Sequence, residues 1–182
     1  MTDETPKKPY TLDESEKVSL VMAYTLTSLV RAELVSKQAV RVSTWFRTVG
    51  APEYIRLYNA QVLLTAGPDP LQSLSFAEYV IPTSQVMAFH LAPPAKDSLD
   101  YDPSEPNRKM EPTTVIAGSF RLNGFIRMSV QSNISKHLEL SHETYTSVYD
   151  VEISNPGIAA MGIIRVPFVL VRSNLVCYAY RG

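Results

Sequence analysis

The chain has 182 residues, of which 45 % are apolar and 19 % charged, with a formal net charge of −1 and one cysteine. This balance excludes a wholly disordered chain and argues against a protein held on nucleic acid mainly by phosphate neutralisation. Cys177 alone cannot form an intrachain disulfide, and no apolar run reaches the ~18–20 residues of a membrane span. The composition therefore predicts a soluble, cytoplasmic protein with no membrane partner.

The charge is unevenly distributed along the chain. Residues 1–27 and 93–112 each carry −2, whereas residues 28–92 carry +1 and residues 113–182 carry +2. Five of the 13 prolines lie within 93–112, a segment without apolar periodicity. We therefore predict four segments: an acidic lead (1–17), a first repeat (18–92), a Pro-rich acidic linker (93–112) and a second repeat (113–182). The alternative for 93–112 is a long surface loop within a single domain.

The first element of each repeat is ambiguous. The apolar spacing of Glu16–Val35 fits a helix as well as a strand. The corresponding segment 113–126 contains Gly118 and Gly124, and each would cost a helix about 1 kcal/mol relative to alanine. We therefore predict that both segments are long bent strands, with a short helical turn possible near residues 12–17.

The next apolar segment alternates in hydrophobicity from Val40 to Arg47, which predicts a second strand. Arg41, Trp45 and Arg47 would then project from one face of it. Arginine beside an exposed aromatic ring can stack a base or nucleotide, and the same residue types anchor protein interfaces. The third possibility is that Trp45 packs against the other repeat.

Two segments on either side of the linker are similar in sequence. Residues 54–62 match 145–153 at an offset of 91, which pairs Tyr54 with Tyr145 and Tyr58 with Tyr149. The same offset extends upstream to Leu29 and Phe120, and it slips to 90 downstream, a change that we place in the loops near Gly67 and Gly157. Both segments alternate with a period of two and are rich in aromatic and β-branched residues. An internal duplication of about five strands in each repeat follows from this pattern.

The end of the chain, Val166–Tyr180, reads as two apolar strands joined by a tight turn at Arg172–Asn174, and Pro82–Ser84 takes that place in the first repeat. Arg172 and Asn174 in this turn are further candidate binding residues. Cys177 lies within the last apolar strand, so we expect a small core residue rather than a nucleophile.

A short polar segment contains the best candidate metal ligands of the chain: His137, Glu139, His142 and Glu143. On a strand, His137 and Glu139 would share one face. Metal sites need three or four ligands in a set geometry, and no His-x-His or Cys-x-x-Cys pair is present. Ordinary surface polarity explains the cluster better, and we predict neither a metal nor a cofactor.

The ending Phe168–Tyr178 resembles the second signature of Sm-like proteins, an apolar strand, a short Arg-Gly-Asn-type turn and another apolar strand; Ser173 stands in place of the glycine. Ala117–Leu122 and Tyr149–Ile153 roughly follow the first Sm signature. The layout is also similar to tandem small-barrel proteins of bacteria. The resemblance implies an all-β fold of two tandem, five-stranded, strongly bent antiparallel barrels of the Sm-like or SH3-like kind.

Two functions remain open from the sequence. The first is a non-enzymatic module that assembles with itself or with a protein partner through the barrel edges. The second is an RNA- or nucleotide-binding module that uses Arg41, Trp45, Arg47, Arg172 and Asn174. An enzyme is the third choice, because no paired acid and base, activated nucleophile or phosphate loop is present in the sequence.

Overall fold

The structure is a computed structural model that describes residues 9–48, 50–65 and 72–180. These residues form an all-β protein, and the strands are β1 Glu16–Tyr24, β2 Ser28–Lys37, β3 Tyr54–Leu64, β4 Ser73–Pro82, β5 Ala88–Leu91, β6 Arg108–Ala117, β7 Phe120–Ser129, β8 Tyr145–Ser154, β9 Ile164–Arg172 and β10 Cys177–Ala179. Helical structure in this part of the chain consists of α1, Ile134–Leu140, and the 3-10 helices Val42–Arg47, Thr83–Gln85 and Ala159–Met161. None of these helices has the length and apolar character needed to cross a bilayer.

All ten strands belong to one antiparallel sheet with the order β10-β6-β7-β8-β9-β5-β1-β2-β3-β4. We call β1–β5 the first unit and β6–β10 the second unit. In each unit the fifth strand pairs with the first, and the fourth strand lies at the opposite side. The two units join through β5 and β9, so that β4 and β10 are the outer strands of an open sheet. The sheet is not closed into a barrel, and the predicted pair of separate barrels therefore stays a prediction.

The prediction of one long bent strand at the start of each unit is wrong. Both segments are hairpins, β1–β2 and β6–β7. The first turn is closed by the Thr25 amide, which donates to the Ser28 carbonyl at 2.9 Å. The second turn is two residues long and uses Gly118 at a φ of 59°, a left-handed conformation that glycine adopts without steric cost. Gly118 thus marks a turn, not the bend of a continuous strand.

The predicted second strand is also wrong, because residues 42–47 form a 3-10 helix. The matching connection of the second unit is α1, which begins after Asn133, whose side-chain oxygen accepts a hydrogen bond from the Lys136 amide at 2.9 Å. Each unit nevertheless has five strands, since the hairpin adds one strand where the helix removes one.

The two units share local irregularities as well as strand order. Asn59 in β3 and Asp150 in β8 are both left-handed, with φ of 48° and 49°. At each of these residues the register with the preceding strand shifts. A β-bulge of this kind re-aims one strand and increases its twist. The offset of 91 between β3 and β8 agrees with these pairings.

The predicted offset of 91 does not hold in β2 and β7, whereas the predicted downstream offset of 90 holds for β4 and β9, in which Val80 corresponds to Leu170. Val30 pairs with Val62 as Leu122 pairs with Ile153, so the offset between β2 and β7 is 92 rather than 91. An error of one residue exchanges the two faces of a strand, and the predicted match of Leu29 with Phe120 is therefore wrong. Gly67, proposed for one slip in register, lies outside the described residues.

Two clusters of buried side chains form the core, and each contains residues of both units. The cluster of the first unit includes Tyr145 and Leu170 from the second. The cluster of the second unit includes Tyr24 and Ala88 from the first. Tyr24 meets the Phe120 ring edge-on, with 4.8 Å between the ring centroids. The junction between β5 and β9 is therefore part of the core and not a contact between two separate surfaces.

The predicted linker 93–112 is divided by the structure. Its last five residues, 108–112, belong to β6, where Pro112 pairs with Phe125. A proline is tolerated in a strand where its missing N–H is not needed by the ladder. Of the predicted linker, residues 93–107 lie outside the sheet and connect the units.

Candidate interaction surfaces

The 3-10 helix Val42–Arg47 places its aromatic side chains at the junction of the units. The Phe46 ring lies 4.5 Å from the ring centroid of Phe89 and 5.4 Å from that of Tyr145. The Tyr145 hydroxyl donates to the Thr83 carbonyl at 3.0 Å and so links β8 to the first unit. Trp45 is partly buried and packs on the first core, beside Phe46. The prediction that Arg41, Trp45 and Arg47 share one face of a strand is therefore wrong.

Arg47 holds the connecting segment 93–107 against the second unit. Its guanidinium donates to the Asp100 carboxylate at 2.8 Å and to the Glu143 carboxylate at 3.0 Å. Asp100 also accepts hydrogen bonds from Ser147 at 2.9 Å and from Tyr149 at 2.6 Å. Its side chain is only 6 % exposed. A buried carboxylate with one cation and two hydroxyl donors is a fully partnered structural contact.

The surroundings of Tyr149 raise the pKa of its hydroxyl, chiefly because the group is buried, and secondarily because it donates to Asp100. The hydroxyl is therefore a hydrogen-bond donor at neutral pH and not a source of phenolate.

Arg41, which directly precedes the 3-10 helix, binds the same connecting segment. Its guanidinium donates to the carbonyls of Ser98 and Leu99, and the neighbouring Ser43 hydroxyl donates to Asp97. Together with Arg47, Arg41 therefore binds groups of the chain itself. A nucleotide or a phosphate at these guanidinium groups would have to compete with these bonds.

Arg172 and Asn174 lie on the other side of Tyr145. The Arg172 guanidinium lies 5.6 Å from the centre of the Tyr145 ring, and its Nε donates to Asn174 Oδ1 at 3.3 Å. Arg41, Arg47 and Tyr145 line a cleft of about 610 Å³ together with Asp100 and Glu143. The structure thus places Arg41 and Arg47 in one cleft and Arg172 against the Tyr145 ring that lines it, and the cleft carries both signs of charge.

The candidate metal ligands of the sequence analysis lie on α1 and directly after it. His137 and Glu139 lie on α1, so the expected common strand face does not exist. His142 and Glu143 follow the helix as exposed residues. In residues 9–48, 50–65 and 72–180, no group of three or more His, Cys, Asp or Glu side chains is arranged to hold a metal ion. Burial lowers the pKa of His137, which favours its neutral form.

Cys177 is exposed, contrary to the prediction of a core position. It is the first residue of β10 and pairs with Ile116 of β6. Because β10 is an outer strand, no further strand covers the side chain. The apolar pattern around Cys177 was read correctly as a strand, but a pattern does not say whether that strand has one neighbour or two.

The outer strand β4 and the start of its neighbour β3 expose apolar side chains whose counterparts in the second unit are buried. Tyr54 is 57 % exposed, whereas Tyr145, which stands at the same position of the second unit, is 2 % exposed. Val80 is 48 % exposed, whereas its counterpart Leu170 is fully buried. The pairings Arg56–Val80 and Ser147–Leu170 establish the second correspondence. Burial of Tyr145 and Leu170 comes from the junction with the first unit.

The outer strand β10 and its neighbour β6 show the same contrast when they are compared with β5 and β1 at the junction. Ile116 pairs with Cys177 as Tyr24 pairs with Ala88. Tyr24 and Ala88 are fully buried at the junction, while Ile116 is 38 % exposed and Cys177 is exposed. We call the two surfaces the β4 edge (Tyr54, Val80 and the outer side of β4) and the β10 edge (Ile116, Cys177 and the outer side of β10).

Sequence reasoning missed both edges as specific sites. The apolar character of Val80 and Cys177 was visible, and so was the duplication. What the sequence did not show is which strands the junction uses, and without that information the exposed members of each pair cannot be distinguished from the buried ones.

The comparisons with known proteins were negative. No family model, curated protein or solved structure matches this chain.

Proposed function

We propose that the protein is a non-enzymatic interaction module that binds a β-strand of another copy or of a protein partner at the edges of its sheet. The observation that carries the proposal is the contrast at the two edges: Tyr54, Val80, Ile116 and Cys177 are exposed, while the residues at the same positions of the junction are buried. Unpaired edge strands offer a row of free N–H and C=O groups, and apolar side chains beside them add affinity.

The fold proposal that belongs to this function is an internal duplication of a small, strongly bent barrel unit of the Sm-like or SH3-like kind. The strand order repeats in the two units, with the fifth strand beside the first. The left-handed residues Asn59 and Asp150 at matching bulges support a common origin, because bulges are characteristic of a family rather than accidental.

No observation favours the RNA- or nucleotide-binding alternative. The guanidinium groups of Arg41 and Arg47 bind carbonyl and carboxylate oxygens of residues 98–100, and Trp45 packs on the core. Catalysis also lacks a supporting arrangement in the described residues, because the buried titratable groups Asp100 and Tyr149 are hydrogen-bonded to each other, as are His90 and Tyr24.

The experiment measures molar mass by size-exclusion chromatography with multi-angle light scattering. The variant is Val80→Pro. By correspondence with Leu170, the Val80 N–H points away from β3, so a proline there removes an outward donor and leaves the β3–β4 ladder intact. The matched control is Val80→Thr, which keeps both the β-branched shape and the N–H.

We expect the wild-type protein to elute as a species heavier than the 20.3 kDa chain. Val80→Pro should weaken the association at least tenfold, and Val80→Thr should weaken it much less. A wild-type monomer with rapidly exchanging amides at both edges would contradict the proposal for copies of this chain. An assembly that Val80→Pro leaves unchanged, alone or combined with Tyr178→Pro in β10, would also contradict it.

A further inference from the structure

At the junction inside the chain, the fourth strand of the second unit (β9) pairs with the fifth strand of the first unit (β5) in a defined register. Phe89 of β5 lies opposite Leu170 of β9, and Ala88 lies opposite Val171. The next pair is held by the Arg172 amide, which donates to the Met87 carbonyl at 2.8 Å. In an antiparallel ladder, hydrogen-bonded and non-hydrogen-bonded pairs alternate. Ala88 and Val171 are therefore a non-hydrogen-bonded pair, with the backbones at their closest.

The two outer strands are the counterparts of the two strands in this junction. β4 corresponds to β9, since Ile55 pairs with Ile81 as Thr146 pairs with Val171. β10 corresponds to β5, since Tyr178 pairs with Val115 of β6 as Phe89 pairs with Ala23 of β1. One chain therefore presents both halves of a junction that it already forms once internally. The halves face opposite ends of the sheet and cannot meet within one open sheet.

We infer that the occupant of the β4 edge is the β10 edge of a second copy of this chain. Transferring the internal junction places Tyr178 of one copy opposite Val80 of the next, and Cys177 opposite Ile81. This inference rests on the proposed function and adds to it the partner, the two strands and the register. Because the two edges differ, the contact is head to tail, and it generates a ring if the rotation closes or a filament if it does not.

The apolar side chains at the two edges can be buried against each other in the way that their counterparts are buried at the internal junction. Tyr54 would enter the place that Tyr145 has at the junction, where a buried hydroxyl donates to carbonyls of the facing turn. Ile116 would be covered as Tyr24 is, and Val80 as Leu170 is. The four residues that face each other in this register are uncharged (Val80, Ile81, Cys177 and Tyr178), and Glu78 of β4 is paired with Arg56 at 3.7 Å.

One difference from the internal junction lies at Pro82. It stands where Arg172 stands in β9, and it has no N–H to donate as the Arg172 amide does to Met87. The contact between copies therefore has one hydrogen bond fewer, and it is weaker than the internal junction. Pro82 also agrees with the outward direction of the Val80 N–H. Residues two apart in a strand direct their N–H groups to the same side, and a proline is tolerated only where that side is the outer one.

The experiment uses the natural cysteine as a register probe. Ile81→Cys is mildly oxidised in the full-length protein, and the products are analysed by non-reducing electrophoresis and peptide mass spectrometry. Directly opposed residues of a non-hydrogen-bonded pair have Cα atoms about 4.5 Å apart, within the range of a disulfide. We expect a ladder of covalent dimers, trimers and larger species, linked between position 81 and Cys177 and absent when Cys177→Ser is added.

The matched control is Val80→Cys. Position 80 is far more exposed than position 81, so random collisions would favour linkage there, but its side chain points to the opposite face from Cys177. We expect little linkage of Val80→Cys to Cys177. If Val80→Cys links as readily as Ile81→Cys, the register is wrong.

The two proposals fail differently. If neither variant links to Cys177 while both, like the wild type, remain heavier than 20.3 kDa, the inferred register and partner are wrong and the edge-binding function survives. If wild type and both variants are monomers with unprotected edges, the inferred partner fails together with edge binding between copies. Ile81 is buried, so circular dichroism of reduced Ile81→Cys must first match the wild type; if it does not, Tyr178→Cys combined with Val80→Cys tests the neighbouring pair of the same register.

Discussion

His90 of β5 is a fully buried imidazole at the centre of the sheet. Its Nδ1 lies 2.8 Å from the Leu91 carbonyl, which can only accept, so Nδ1 carries the proton. Its Nε2, 2.9 Å from the Tyr24 hydroxyl, is therefore the acceptor and Tyr24 the donor. Burial lowers the pKa of His90 to about 4, despite the opposing effect of the Leu91 carbonyl, and burial also raises the pKa of Tyr24.

The pKa of His90 predicts a loss of stability in mild acid. Above the ordinary histidine pKa of about 6.5, His90 is neutral in both states and its contribution is complete. As the pH falls from 6.5 toward 4, the unfolded state binds a proton that the folded state refuses, so the free energy of unfolding falls by up to about 3 kcal/mol. Urea unfolding at pH 7, 5.5 and 4.5 measures this change.

The comparison variant is His90→Gln, which keeps an acceptor for Tyr24 but does not titrate. We expect its free energy of unfolding to change less than that of the wild type between pH 7 and 4.5. His142→Gln serves as the control, because His142 lies on the surface. Equal pH dependence in the wild type and His90→Gln would show that His90 is not the group responsible.

At the scale of elements, the segment 93–107 combines a Pro-rich composition with specific attachment. Arg41 holds it near Ser98 and Leu99, and Arg47 holds it at Asp100. Tyr101 packs edge-on against Tyr149, with 4.9 Å between the ring centroids. The acidic residues of the segment thus bind basic and hydroxyl groups of both units. This contact accounts for the negative charge of residues 93–112 and the positive charge of the two repeats.

Asp100→Ala should release this segment. The change removes the carboxylate that Arg47, Ser147 and Tyr149 share; the two hydroxyl groups lose this acceptor, while Arg47 keeps Glu143. We expect the free energy of unfolding to fall by about 2 kcal/mol, the usual scale for hydrogen bonds to a charged group. Trypsin cleavage after the exposed Lys96 should become several times faster.

Asp102→Ala is the control for the released segment. Asp102 is exposed and accepts its hydrogen bonds from Ser104, two residues away. We expect little change in the rate of cleavage after Lys96. If Asp102→Ala and Asp100→Ala behave alike, the attachment does not depend on the Asp100 network.

Sequence periodicity predicted the elements unevenly, for physical reasons. The strands containing Tyr54–Val62 and Tyr145–Ile153 alternate cleanly because each has one buried face. The hairpins at Thr25–Ser28 and Gly118–Ser119 were missed because the apolar pattern continues through the short turns, and the glycine was weighed only as a helix breaker. The alternation of residues 40–47 also fits a 3-10 helix. The helix has only six residues at three residues per turn, and so short a segment does not distinguish its period from that of a strand.

At the scale of the whole molecule, the sequence predicted the all-β class, ten strands and two similar halves. It did not predict that the halves join in one sheet, because pairing between β5 and β9 depends on backbone groups that every residue has. For the same reason, the surface proposed from the structure differs from the binding residues predicted from the sequence. The residues chosen for their chemistry, Arg41, Arg47 and Trp45, hold the chain together, while plain apolar residues such as Val80 and Ile116 are exposed at the edges.

The central claim is that the β4 and β10 edges cover each other between copies. Amide hydrogen exchange of the wild-type protein, followed by mass spectrometry at low and high protein concentration, measures this directly. We predict that exchange in β4 and β10 slows together by at least tenfold at high concentration, while exchange in β5 and β9 does not change. Rapid exchange in both outer strands at every concentration would contradict the claim.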